Sequence, residues 1–302
     1  MQLRNISSFL AIARAGSLTK AAKMMGISQP ALSKQIDFLE NELGCHLYVR
    51  GRHDFTLTFA GEIFGNEAEK LLNIVEIAVR RAQTIGKGLK GYLRIGFAST
   101  AVITGFLPNL VSAFRLLEPG YEVVMANKGT DRQVEQLKEN SLDIAILRLP
   151  LTDQPEDLIV RPLMMEKNML LVPGDHELAA SGSVIPSQLD GRDMVAYARS
   201  KCRAFSELLH RYFVSQSVTV RTSYEINDMF SLCSMVSSGF GPAVAPASTR
   251  NYNLKNIKYY DLPDLPPSVI GIAMRAGEER DFIRRFFDLA VTSAPRFQGK
   301  TA

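Results

Sequence analysis

Between residues 17 and 42 the apolar positions form two short helical runs separated by a turn. The first has a small face, Ala21 and Ala22, behind Ser17, a residue type that caps helix N-termini. Gly26 stands where the chain must leave this helix, and Ile27 is the apolar plug behind the turn. Ser28 predicts a second N-cap, with Pro30 in the first turn, where a missing N–H is harmless. Leu32, Ile36, Leu39 and Leu43 then recur at 4-3-4 spacing and predict one buried face. Gln29, Ser33 and Lys34 are left toward solvent at the N-terminal end. A preceding helix at about Ile6–Ala15, and two short strands at Leu47–Val49 and Phe55–Leu57, complete a winged helix-turn-helix over residues 1–58, with the motif itself at about 18–37. Arg50, Arg52 and His53 lie at the wing tip. The DNA-contacting set expected from this arrangement is Thr19, Ser28, Gln29, Pro30, Ser33, Lys34, Arg50, Arg52 and His53.

From Thr58 to about Ile85 the chain is free of proline. Phe64, Ala68, Leu71, Val75, Ala78, Ala82 and Ile85 recur at 4-3-4-3-4-3, the a/d spacing of a coiled coil. The other reading is a surface helix packed on its own domain, for which Ile63, Ile74 and Ile77 offer a second stripe. The strictness of the seam favours a dimerising helix over 59–89, ended by Gly86 and Gly88.

Beyond Gly91 strand and helix patterns alternate. Strands are predicted at Tyr92–Phe97, Glu122–Ala126 and Asp143–Leu147, with helices at about Ile103–Leu117 and Gln133–Asn140. This β-α-β-α-β order implies a parallel sheet covered by helices. Leu158–Leu163 leads out and Met169–Pro173 opens a second lobe. There Met194–Ala196, Val218–Thr222 and Ala243–Ala245 alternate with helices around Phe205–Val214 and Asp228–Ser237. Val269–Met274 and a last helix at Glu278–Val291 return to the first lobe. The expected effector-binding domain is therefore 90–302, with lobe I at 90–163 and 268–302 and lobe II at 164–267. A cleft between such lobes is the natural place for a ligand.

Charge sharpens the division. The chain of 302 residues has a formal net charge of +4. Residues 1–90 hold 12 Lys+Arg against 8 Asp+Glu, and the remainder holds 23 of each. All the positive excess thus lies in the part proposed to face phosphate. Met1–Asn5 leads straight into an amphipathic helix, with no secretory h-region and no membrane-length apolar run, so the cytosol of a prokaryote is expected. Cys45, Cys202 and Cys233 show no CxxC spacing, and the four histidines are scattered, so neither a disulfide framework nor a metal site nor any other cofactor is expected. GxSxG, P-loop, HExxH and dinucleotide-glycine fingerprints are all missing from the sequence, which argues against an enzyme.

The N-terminal motifs resemble those of the LysR-type transcriptional regulators. Phe9, Gly16–Ala22, Ser28–Gly44 and Leu47–Gly61 follow that family's pattern without a gap. One departure is His53, where the family's second wing arginine is usual; Arg52 beside it is the preferred substitute. Weaker landmarks continue: Leu137–Ile146, Val172–Leu178 and Ser237–Ser248 are similar to the family's effector domain, which shares a two-lobed fold with solute-binding proteins. Lys128–Thr130, Leu147–Leu149 and Val244–Arg250 are similar to regulators of aromatic-acid catabolism. The resemblance implies double-stranded promoter DNA, a small-molecule effector, a dimer or tetramer and contact with RNA polymerase as partners, with no membrane.

The effector-pocket residues expected from strand ends and helix starts, and from the related regulators, are Ser99, Thr100, Thr130, Arg148, Cys202, Arg203, Phe205, Asn227 and Asp228. Ser99 and Thr100 precede a helix N-terminus suited to an anion, and Arg148 suits a carboxylate. Each has a plain alternative: Ser99, Thr130 and Asp228 as caps, Arg148 as a structural ion pair, Phe205 as core. Two other functions fit less of the sequence. A redox-responsive regulator would use Cys202 with Arg203 lowering its pKa, and a solute-binding protein would leave the DNA-reading segment without a purpose.

Overall fold

The computed structural model describes residues 1–50, 55–86, 88–151, 153 and 155–294, with only the backbone described at Arg50, Phe55, Arg80, Arg81 and Thr84. It divides into two compact units, Met1–Gly86 and Lys87–Ala302.

The first unit begins with α1 (Leu3–Ala15), α2 (Leu18–Met25) and α3 (Gln29–Leu43). Local chemistry sets their ends. Ser17 accepts a hydrogen bond from the Lys20 N–H at 3.5 Å, and Ser28 accepts one from the Ala31 N–H at 3.3 Å. Gly26 closes α2 at φ 66°, a left-handed conformation that a side chain would strain. Strands β1 (Tyr48–Arg50) and β2 (Phe55–Leu57) pair antiparallel as the wing, and α4 (Phe59–Gly86) follows. Leu47, expected in the first strand, is instead a fully buried residue ahead of it.

On α3 the expected buried face is only partly right. Leu32, Ile36 and Leu39 are buried, but Leu43 is 37% exposed. The fourth inward position belongs to Glu40, whose Oε1 accepts the Leu47 N–H at 2.7 Å and the Tyr48 N–H at 3.3 Å. A buried carboxylate thus satisfies these two backbone N–H groups where the chain turns from α3 into the wing. Tyr48 donates its hydroxyl to the Phe9 carbonyl, and burial pushes its phenol pKa far up, so it remains a donor.

The coiled-coil reading of α4 also needs correction. Phe64 and Ala68, its first two seam positions, pack with Leu72 into the core of this unit, where Phe64 meets Phe9 edge-on at 5.2 Å. Leu71, Ile74, Val79 and Ile85 remain exposed. Of the expected seam, the part left available therefore begins at Leu71, with Phe59 and Ile63 exposed ahead of it.

The second unit contains β3 (Gly91–Phe97), α5 (Ser99–Ile103), α6 (Phe106–Leu117), β4 (Tyr121–Asn127), α7 (Thr130–Lys138), β5 (Ile144–Leu149), β6 (Leu158–Glu166), β7 (Asn168–Pro173), β8 (Asp193–Tyr197), α8 (Arg203–Ser215), β9 (Arg221–Ile226), α9 (Met229–Ser237), β10 (Ala243–Pro246), β11 (Ile257–Tyr260), β12 (Ser268–Arg275) and α10 (Asp281–Ser293). One sheet runs β4-β3-β5-β12-β6. Its β3, β4 and β5 are parallel, as the alternating pattern predicted, but β12 is antiparallel to both β5 and β6. The sheet is therefore mixed. Its core gathers Leu93, Ile95, Phe106, Phe114, Ile146 and Phe286 among others.

The remaining strands form β10-β7-β11 and the parallel pair β8-β9, joined where the Val195 N–H donates to the Pro242 carbonyl at 2.9 Å. Three further boundaries differ from expectation. The helix expected at about Ile103–Leu117 starts at Phe106, behind a separate short helix α5; the strand expected at Val218–Thr222 lies at Arg221–Ile226; and β11 lies outside every strand expected from the sequence. Asp143 does not start β5. It is fully buried and meets Arg94 at 2.6 Å and Arg280 at 2.8 Å, with Glu278 completing the cluster through Arg280.

Candidate functional site

Two faces carry the candidate chemistry, one in each unit. In the first, Ser28, Gln29 and Pro30 at the start of α3 are exposed, as is Lys34, while Ser33 is half-buried. Thr19 on α2 donates its hydroxyl to Gln29 Oε1 at 3.4 Å, so the first residues of α3 are held against the preceding helix. That contact uses the Gln29 carbonyl oxygen and not its amide N–H groups, and the Lys34 side chain is exposed. Arg52 and His53 lie outside the described residues, and the Arg50 side chain is not described, so the wing-tip part of the expected set has no geometry here.

In the second unit the carboxyl ends of β3, β4 and β5 face β8 and the start of α8 across a narrow crevice. Ser99, Thr100, Thr130, Arg148 and Cys202 line it, together with Lys128, Tyr197 and Lys201, which sequence reasoning missed. The space left is about 20 Å³, room for one water-sized body. The two sides touch directly: the Thr130 N–H donates to the Lys201 carbonyl at 3.0 Å, and the Cys202 thiol lies 3.7 Å from Thr130 Oγ1.

Arg148 is the centre of this arrangement. It is 5% exposed, its Nη2 donates to Thr100 Oγ1 at 3.1 Å, and its backbone N–H donates to Thr130 Oγ1 at 3.3 Å. Its guanidinium lies over the Phe205 ring at 5.3 Å, a cation–π contact. Nη1 is buried with no hydrogen-bond partner, and among the described residues no carboxylate pairs with this side chain. The structural-ion-pair alternative is thereby removed. A buried guanidinium lacking a counter-charge is costly, by several kcal/mol in general, and an arriving anion would relieve it. Lys128 and Lys201 add positive charge, and no Asp or Glu is among the lining residues. Burial raises the Tyr197 phenol pKa, with Cys202 adding to the rise and Arg148 opposing it, so Tyr197 offers a protonated hydroxyl.

Arg203, Asn227 and Asp228 are not among the residues that line the crevice. Arg203 is exposed and pairs with Glu207 at 3.0 Å, away from the crevice. Asp228 caps α9, accepting the Ser231 N–H at 2.8 Å, and Asn227 beside it is exposed. Ser99 accepts from Asn127 Nδ2 at 3.1 Å, so its hydroxyl is held by the neighbouring strand. Lys128 was legible by the rule that selected Thr130, since both follow β4. Lys201 carried no local signal.

The redox reading loses its support in the same place. Cys202 is 3% exposed, Arg203 is committed to Glu207, and burial pushes the Cys233 thiol up to about 12. Such thiols are poor nucleophiles.

Comparison with known proteins decides the family. Residues 3–62 match the model described as "Bacterial regulatory helix-turn-helix protein, lysR family", and residues 86–295 match "LysR substrate binding domain". The chain belongs to the LysR family of transcriptional regulators. It is 31% identical over 293 residues to the HTH-type transcriptional regulator BenM of Acinetobacter baylyi, covering 95% of this chain and 94% of that one. It is 29% identical over 287 residues to the Hca operon transcriptional activator HcaR of Escherichia coli, covering 95% and 96%. Among solved structures, CbnR aligns with a TM-score of 0.74 at 22% identity, over 97% of this chain and 99% of that one, and shows the same fold. Full-length BenM aligns with a TM-score of 0.57 at 28% identity, over 99% and 98%. This LysR-family protein is a DNA-binding transcriptional regulator with an effector-binding domain, and not an enzyme. No helix among its described residues is long and apolar enough to cross a membrane.

Proposed function

We propose that this regulator senses a small organic acid, aromatic by preference, whose carboxylate is clamped by Arg148 between the two sheets of the effector unit. The buried guanidinium with an open Nη1 supports this above all. Thr100, Thr130 and Tyr197 supply hydroxyls beside it, and Phe205 braces it from below. Because the crevice is almost closed, an acid larger than a few atoms must part its walls. A ligand that favours the parted arrangement shifts the population toward it, and that shift is the signal passed to promoter DNA. Titration calorimetry of the full-length protein with benzoate and a panel of aliphatic acids tests the assignment. Arg148→Ala should weaken acid binding by at least about 100-fold and Arg148→Lys by less, since a point charge replaces a fork. Unchanged affinity in Arg148→Ala would overturn it.

The α3 face with the wing residues Arg50, Arg52 and His53 is the proposed DNA reader, with Arg203, Asn227 and Asp228 set aside as effector contacts. The proposed division is a reader at 1–58, a dimerising helix at 59–89 and the effector domain from 90. The exposed stripe from Leu71 to Ile85 supports a homodimer or a tetramer of dimers. Leu71→Asp with Ile74→Asp should reduce the mass measured by sedimentation; an unaltered mass refutes the seam.

A further inference from the structure

A second hollow lies between helix α8 and the strands β8 and β9. It encloses about 290 Å³ and is walled chiefly by Leu209, Phe213, Val218 and Val220, with hydroxyls from Ser206 and Thr222. In general an apolar cavity of about 150 Å³ is enough to hold benzene. His210 stands exposed at its rim, and Lys, Arg, Asp and Glu are all missing from its lining. A carboxylate placed there would lose its hydration with no cation to replace it. The occupant this chemistry suits is an uncharged ring compound with one hydroxyl or carbonyl group.

The hollow is not isolated from the crevice. Tyr197 lines both. Helix α8 supplies Phe205 beneath the Arg148 guanidinium, and one residue later Ser206, followed by Leu209 and Phe213, forms the wall of the hollow. A displacement of α8 by a guest in the hollow therefore moves Phe205 relative to Arg148. We propose that this unit carries a second ligand pocket, for a small neutral aromatic compound, whose occupancy alters acid binding at Arg148 through α8 and Tyr197. The coupling part rests on the acid-clamp reading of Arg148; the pocket itself does not. By linkage the effect is reciprocal, so the acid alters affinity for the neutral guest by the same factor.

Benzyl alcohol serves as the neutral probe and benzoate as the anionic one, with full-length protein labelled at Leu and Val methyls. Benzyl alcohol should shift the Leu209, Val218 and Val220 signals equally in the native protein and in Arg148→Ala. Ser206→Phe should abolish those shifts while leaving benzoate binding in place. Saturating benzyl alcohol should change the benzoate Kd of the native protein by at least about threefold, a modest allosteric coupling. If these methyls do not move in the native protein, the pocket is refuted without reference to any variant. If they move but the benzoate Kd is unchanged, the coupling is refuted. If Arg148→Ala retains benzoate, the acid clamp fails, and the methyl shifts alone decide the pocket.

Discussion

Gly129 and Lys201 meet so closely that a Cβ at Gly129 would lie 2.3 Å from the Lys201 carbonyl oxygen. No side-chain motion relieves this, because the obstacle is backbone. The Thr130 N–H, one residue on, bonds that same carbonyl. Gly129 is thus the residue that lets the crevice close over Arg148.

Gly129→Ala should hold the crevice open. The expected result is a tighter benzoate affinity, by up to about tenfold if the closed state is held by an ordinary hydrogen bond's worth of stabilisation that the acid must otherwise overcome. Calorimetry on the full-length protein checks it. An affinity and thermal midpoint both equal to the native values would show that the wall can retreat freely.

DNA reading should separate by residue. Lys34→Ala is expected to weaken binding to all sequences and to lower the salt slope by about one ion. Gln29→Ala should instead relax preference at one position in each half-site, at about 1–3 kcal/mol. Binding to a randomised-site library at several salt concentrations distinguishes them; identical profiles for the two variants would reject the assignment.

Acid should unfold the effector unit through its ion cluster. Burial alone would raise the carboxyl pKa values of Asp143 and Glu278. Hydrogen bonds and charge from Arg94 and Arg280 outweigh it at Asp143, and those from Arg280 and Arg275 outweigh it at Glu278, bringing Glu278 to about 2. A carboxylate held ionised below its ordinary range of about 4 stabilises the fold at pH values above that range. The contribution is lost as pH falls through the folded-state value. The thermal midpoint of this unit should therefore drop steeply between about pH 5 and pH 2, and Glu278→Gln should be less stable at pH 7 with a shallower dependence. Parallel curves for native protein and variant would contradict this.

The helix starts at Ser17 and Ser28, the turn at Gly26 and the alternating strands of the first sheet were legible in the sequence, because a cap, a turn and a periodic face depend on residues within a few positions of one another. Arg148, Thr100, Thr130 and Cys202 could be placed at one crevice for the same reason, as ends of successive strands or starts of helices. Tertiary structure alone decided that Arg148 meets no carboxylate among the described residues and that Arg203 meets Glu207. It also buried Glu40 of α3 against the chain entering the wing, and Asp143 between arginines 49 residues before it and 137 after it. Those outcomes turn on which distant groups share a small buried volume, and burial sets the free energy of a charge far more strongly than its neighbours in the chain do. The same holds for α4, whose seam was visible as spacing but whose first two positions were claimed by Phe9 and the core around it.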